Sequence, residues 1–195
     1  MSMLTPLFLK LTGRAVLLVG GGPVATAKAR TLADAGAAVT VVSPELTPEL
    51  TALAAAQGWP VRARAVAPSD LDGAWLVIAG APPEINRQVA AAAEERRIFT
   101  VSVDDPGNSS AYGGGVIRRG GVTVALSTDG EAPALAGLLR EGLEALLPDD
   151  LASWLDEARR LRTAWRSTAV PMAERRPLLL AALNRLYESR EVARG

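Results

Sequence analysis

The stretch "AVLLVGGGPVATAKARTLADAGAAVTVVSPE", residues 15–45, decides the fold. An apolar run at 15–19 ends in three consecutive glycines, an Ala-rich helical segment follows, and a second apolar run occupies 38–42. Gly20, Gly22 and Ala25 form G-x-G-x-x-A, a permitted variant of the dinucleotide fingerprint. The first glycine allows the tight turn, the second lets a pyrophosphate approach the backbone, and the alanine permits close helix–strand packing. The helix N-terminus then faces the phosphates with its free N–H groups. Such a motif is weak alone, but a strand before it and a helix after it are the context it requires. A glycine-rich turn without ligand is the bland alternative. An acidic residue is expected at the end of the second strand, and Ser43-Pro44-Glu45 stand there instead. Ser43 is placed to meet an adenosine ribose hydroxyl, with Glu45 two residues on, or simply to start the next helix. No arginine is close in sequence to take a 2′-phosphate, which favours NAD over NADP.

Outward from this stretch the alternation continues. Segments 60–66, 74–80 and 98–103 read as strands, and 24–36, 46–57 and 83–97 as helices. Thr47 ahead of Pro48 and Glu49 is a helix start, while "PPEINRQVAAAAEERR" opens with prolines and closes with arginines that suit the helix dipole. Alternating elements with continuously apolar strands predict a parallel sheet covered on both faces. After residue 103 the pattern changes. Residues 115–128 read as a β-hairpin turning at Arg118-Arg119-Gly120-Gly121, and helices are predicted at 132–147, 150–167 and 171–192. An isolated hairpin is marginal, so it must extend a sheet or pair with a second subunit, and dimerisation is the preferred reading. The expected fold class is α/β: a Rossmann-type parallel sheet over 1–112, a hairpin/helix dimerisation region over 113–149, and a small C-terminal helical domain over 150–195.

Composition narrows the chemistry. Hydrophobic residues make up 49% of the chain but aromatics only 4%, so the core must be built from Ala, Val and Leu. Basic and acidic residues balance at 21 each, which gives no general attraction to nucleic acid or anionic membrane. No apolar run reaches the roughly 18 residues of a membrane span, and the N-terminus lacks the basic start of a secretory signal. The absence of cysteine makes a cytoplasmic location the default expectation. The chain has neither histidine nor cysteine, which excludes a tetrahedral zinc site, a thiolate nucleophile and an imidazole base. No metal-ligating residues are expected. Acid–base work at neutral pH falls to carboxylates, Lys10, Lys28, Tyr112 or Tyr187.

Four stretches in order carry a family resemblance: 5–37, "VVSPE" at 41–45, "VDDP" at 103–106, and "VALSTDGEAPALAGLLREGLEALLP" at 124–148, with "MAERR" at 172–176 as a tail. They resemble the precorrin-2 dehydrogenase/sirohydrochlorin ferrochelatase family, also found as the N-terminal module of siroheme synthase. The resemblance implies an NAD-dependent enzyme that removes two hydrogens from a tetrapyrrole bearing eight carboxylates. It also implies a homodimer with exchanged elements and, in some members, insertion of ferrous iron into the product. The family's catalytic aspartate after the fifth strand falls on Asp104, a position that opens onto the cofactor crevice. By itself, Asp104-Asp105 ahead of Pro106-Gly107 also reads as a turn. The same matching puts Gly20, Gly22, Pro23, Val24, Ser43, Pro44, Glu45 and Gly80 around NAD. It puts Thr128 near the tetrapyrrole, with capping of the following helix as the alternative role. The chain departs from the family pattern at "AGAPPE" (79–84), in the fifth strand, and at "SSAYGGGV" (109–116), all expected around the substrate pocket. Arg118, Arg119 and Arg140 are candidate partners for substrate carboxylates, although a solvated surface role suits each of them. The competing reading is a non-enzymatic, dimeric NAD-sensing domain. A short-chain dehydrogenase is excluded, because neither Tyr112 nor Tyr187 has a lysine four positions later.

Overall fold

The computed structural model describes residues 4–194; the Tyr187 side chain lies outside the described residues. The elements in order are β1 (Ala15–Val19), α1 (Pro23–Asp34), β2 (Ala38–Val42), α2 (Pro48–Gln57), β3 (Val61–Arg62), β4 (Leu76–Ala79), α3 (Pro83–Glu95), β5 (Phe99–Ser102), β6 (Gly115–Arg119), β7 (Val122–Leu126), α4 (Pro133–Leu146), α5 (Leu151–Ser167) and α6 (Met172–Arg194). Two compact units divide the chain: Met1–Gly113 with Asp129–Glu131, and Gly114–Thr128 with Ala132–Gly195.

In the first unit five parallel strands stand in the order β3-β2-β1-β4-β5, that of a doubly wound dinucleotide-binding sheet through its fifth strand. The expected parallel sheet and both covered faces are therefore present. Alternation along each strand divides the core. Val16, Leu18, Val39, Val41, Leu76 and Ile78 bury against α1 and α2. Leu17, Val19, Val42, Val77 and Ala79 bury on the other face with Val89 and Ala93 of α3. Both helices α1 and α2 begin with proline in the first turn, and Thr47 caps α2 by accepting the Leu50 N–H at 3.2 Å, as the sequence predicts.

Two local expectations are corrected. The strand read over 60–66 is only Val61–Arg62. The chain leaves the sheet because Arg62 and Arg64 both turn to Asp70, a carboxylate with 1% of its side chain exposed that also accepts the Ala67 N–H at 2.8 Å. The arginines expected in the last turn of α3 lie just beyond it, since the helix ends at Glu95. Arg96 still serves the helix end, donating to the Ala92 carbonyl at 2.9 Å and pairing with Asp72.

Strand β5 is the sheet edge, and its outward backbone groups are closed by the loop that follows it. The Thr100 and Ser102 N–H groups donate to the hydroxyls of Ser110 and Ser109, each at 2.9 Å, and the Thr100 carbonyl accepts from the Ser110 and Ala111 N–H groups. The departure "SSAYGGGV" thus begins with two serines that cover an edge otherwise open to pairing.

In the second unit β6 and β7 form the predicted antiparallel hairpin, joined by Gly120 (φ 55°) and Gly121 (φ 79°). Positive φ at both central residues defines a type I′ turn, which suits the strand twist. A side chain on either glycine would run into the start of α5, at Leu151–Ala152 and Leu155. Arg119 donates to the Leu147 carbonyl at 2.6 Å, and Arg140 pairs with Glu144 on α4, so both arginines have internal partners. Helix α4 leaves Leu135, Leu138, Leu139, Leu143 and Leu146 exposed.

The Arg64 guanidinium and the Ala67 and Arg62 hydrogen bonds hold the Asp70 carboxyl well below the usual aspartate range. A depressed folded-state value stabilises the fold above the unfolded value of about 3.9 and is lost as pH falls through and below it. We expect Asp70→Asn to lower stability by about 1–2 kcal/mol near neutral pH, less than for a fully buried pair because both arginines reach water. Urea melts across the acid range should show a shallower pH dependence for the variant. Equal slopes for variant and wild type would contradict this assignment.

Candidate functional site

The glycine turn is shaped by what presses on it from two neighbouring strands. Gly20 has φ +111°, and a Cβ there would strike the Gly80 carbonyl at the end of β4, with the Gly80 carbonyl carbon at 2.7 Å. A Cβ on Gly21 would meet the Glu45 carbonyl, with Leu46 Cα at 2.9 Å. Backbone bonds fix both approaches: Gly20 N–H to the Val42 carbonyl at 3.0 Å, Gly80 N–H to the Val19 carbonyl at 2.8 Å, and Thr47 N–H to the Gly21 carbonyl at 2.8 Å. Ala25 is fully buried, and a Cβ built on Gly80 would lie 3.5 Å from its methyl, so helix and strand meet across small residues as the fingerprint requires.

Gly22 differs. A Cβ there would meet nothing within 4 Å, so no group of the chain demands glycine at this position. It is the N-cap of α1, has no side-chain cap, and precedes a first turn containing Pro23 at its start and no acidic residue. The N–H groups of Val24 and Ala25, in the first turn, thus lack intrahelical acceptors, which fits the pyrophosphate of a dinucleotide. Val24 and Pro23 are exposed beside them.

Of the other residues expected at the cofactor, Ser43 is buried and its hydroxyl donates to the Glu45 carbonyl at 2.7 Å, which commits its proton. Pro44 and Glu45 are exposed at the same end of the sheet. The structure brings an arginine to this end after all. The Ser43 N–H donates to the Arg62 carbonyl at 3.2 Å, although the two residues are 19 positions apart. The Arg62 and Arg64 side chains are, however, already paired to Asp70.

Asp104 lies two residues beyond β5, at the end of the sheet that carries Gly80, since Val103 N–H donates to the Ala79 carbonyl at 2.9 Å. Its φ of 57° is left-handed, a conformation that costs of order 1 kcal/mol outside glycine and that recurs at functional sites. Asp105 and Asp104 separate in role. The Asp105 carboxylate accepts the Asn108 side-chain N–H at 2.8 Å and builds the turn, whereas Asp104 is exposed. Thr128 belongs to the second unit, where its hydroxyl accepts the Ala132 N–H at 3.3 Å ahead of α4.

Sequence reading missed several supports. Thr26 donates to the Gly22 carbonyl and meets the Thr47 hydroxyl at 2.8 Å, tying the starts of α1 and α2 together. Asn86, buried in the first turn of α3, accepts the Ala81 N–H at 2.9 Å and fixes the turn after Gly80. A polar residue in an apolar helix face was the available signal at Asn86; none pointed to the threonine pair.

The family described as "Putative NAD(P)-binding" matches residues 7–115. The chain belongs to that family. Siroheme synthase 3 of Aeromonas hydrophila is 48% identical over 172 residues, covering 88% of this chain and 37% of that protein. Siroheme synthase 1 of Aeromonas salmonicida is 44% identical over 191 residues, 97% of this chain and 41% of that protein. The chain thus spans about two fifths of the length of these relatives. Among solved structures, one described as "SirC, precorrin-2 dehydrogenase" superposes with a TM-score of 0.71 over 91% of this chain and 88% of that one, at 23% identity, and shares its fold. The resemblance drawn from the motifs is borne out by these matches.

Two glycine substitutions separate fold from cofactor. Gly20→Ala should destabilise by roughly 2 kcal/mol or more, through positive φ and the clash with Gly80. Gly22→Ala should leave the stability within about 0.5 kcal/mol of wild type yet weaken NADH binding by about tenfold or more, read by fluorescence titration. Unchanged NADH affinity in Gly22→Ala would show that the pyrophosphate lies elsewhere.

Proposed function

We propose that this protein is an NAD-dependent dehydrogenase acting on precorrin-2, forming sirohydrochlorin, with Asp104 as its acid–base residue. The single observation that carries the reading is the Asp104 carboxylate, exposed and held in a left-handed turn at the strand end beside Gly80. The names of the relatives and of the structural neighbour support the substrate class.

When bound, NAD supplies the acceptor for a hydride. The chain's residues do the rest. The N–H groups at the start of α1 hold the pyrophosphate, and Gly22 leaves the room for it. Ser43 to Glu45 border the adenosine ribose. Commitment of Arg62 and Arg64 to Asp70 favours the unphosphorylated ribose of NAD over NADP. Gly80 keeps the β4 end low enough for the nicotinamide side to pass. The Asp104 carboxylate accepts the proton that leaves the tetrapyrrole as hydride departs. Removal of pyrrole protons by the same carboxylate would serve insertion of ferrous iron, which enters as substrate. The Thr128 hydroxyl, still able to donate, is assigned to the tetrapyrrole. The exposed leucine row of α4 supports a homodimer formed through the hairpin and helix region. No helix among the described residues is long and apolar enough to cross a membrane. The cytoplasm remains the proposed location.

Anaerobic incubation of the protein with precorrin-2 and NAD should produce the absorbance of sirohydrochlorin. Asp104→Ala should lower that rate by at least about a hundredfold while NADH affinity stays within about twofold of wild type. Full activity in the variant would remove Asp104 from the mechanism. Sirohydrochlorin with ferrous ion, with and without protein, decides whether the second activity is present.

A further inference from the structure

A turn that returns from outside the Rossmann sequence block locks the loop behind Asp104. Gly130, 26 residues after Asp104, has φ +79°, and a Cβ on it would lie 2.8 Å from Pro106 Cγ, 2.9 Å from Pro106 Cβ and 3.4 Å from Tyr112 Cε1. Pro106 is also held by Tyr112, whose hydroxyl donates to the Pro106 carbonyl at 3.0 Å. These contacts lie within the first unit, which claims Asp129–Glu131 although the sequence on both sides of that turn belongs to the second. Pro106 is two residues from Asp104. Below it the loop is pinned by Asn108 to Asp105 and by Ser109 and Ser110 to the β5 edge. The left-handed backbone at Asp104 persists because its surroundings over-determine it. Of these restraints, the Tyr112 hydroxyl and the Gly130 turn bear on Pro106 itself.

We propose that Tyr112 and Gly130 are positioning residues for Asp104: both bear on Pro106 and thereby set where the catalytic carboxylate stands. This rests on the reading of Asp104 given above and deepens it. Tyr112 touches no reacting atom in this role. Its hydroxyl proton is committed to a carbonyl, so it acts through the loop and not as an acid.

The test is a double-mutant cycle. Tyr112→Phe removes one hydroxyl and keeps the ring on Gly130. It should lower kcat for precorrin-2 oxidation by about tenfold, the scale of a small misplacement of a reacting group, while NADH affinity is unchanged. In an Asp104→Ala background the same substitution should have no further effect on kcat, because the group it positions is gone. Gly130→Ala should behave likewise and serves as the second variant. An equal loss in both backgrounds would assign Tyr112 a general structural role and overturn the proposal. An activity-independent readout keeps the two levels apart: the Asp104 Cα and Cβ chemical shifts should leave their left-handed values in Tyr112→Phe. Unchanged shifts would overturn the positioning role. If the wild-type protein fails to oxidise precorrin-2 but the shifts move, the substrate reading falls and the positioning role stands.

Discussion

The contact between Gly20 and the Gly80 carbonyl is the constraint on which the rest of the first unit depends. It brings the turn after β1 against the end of β4 so closely that no side chain fits. Gly21 does the same against Glu45 beyond β2. The turn is therefore wedged between its two neighbouring strands, and the N-terminus of α1 emerges at the one crevice where the strand order reverses. Gly22 stands apart because its freedom is not used by the chain. Two glycines serve the fold, and the third borders open space.

The same end of the sheet illustrates how polar groups are shared between architecture and chemistry. Ser109 and Ser110 spend their hydroxyls on an edge strand, and Asp105 spends its carboxylate on a turn. What is left exposed at the strand end is Asp104. Adjacent residues of one type thus differ: Asp105 bonds Asn108, and Asp104, in a left-handed backbone, stays exposed. A comparable division holds at β2. Ser43 closes on the Glu45 carbonyl and leaves the Glu45 side chain exposed, while Arg62 and Arg64 close on Asp70.

Much of this was legible in the chain. Apolar runs alternating with helical segments predicted the parallel sheet, and Thr47-Pro48 marked the start of α2. Gly120-Gly121 marked the hairpin. Motif matching selected Asp104, which composition could not have done. The length of β3 was misread because the competing pull of Asp70 on Arg62 and Arg64 lies up to eight residues downstream and has no periodic signature. The arginine near Ser43 was invisible for a related reason: it arrives by strand pairing, not by proximity in sequence.

The sequence by itself determined the elements and their order, the glycine turn, the helix starts and the hairpin turn. These follow from periodicity and from φ values that only certain residues adopt, and both are local. Tertiary structure alone decided the strand order, the approach of Gly80 to Gly20, the serine hydroxyls on the β5 edge, and the return of Gly130 to Pro106. Each is a contact between residues distant along the chain. Its geometry depends on register and packing, which a one-dimensional pattern does not contain.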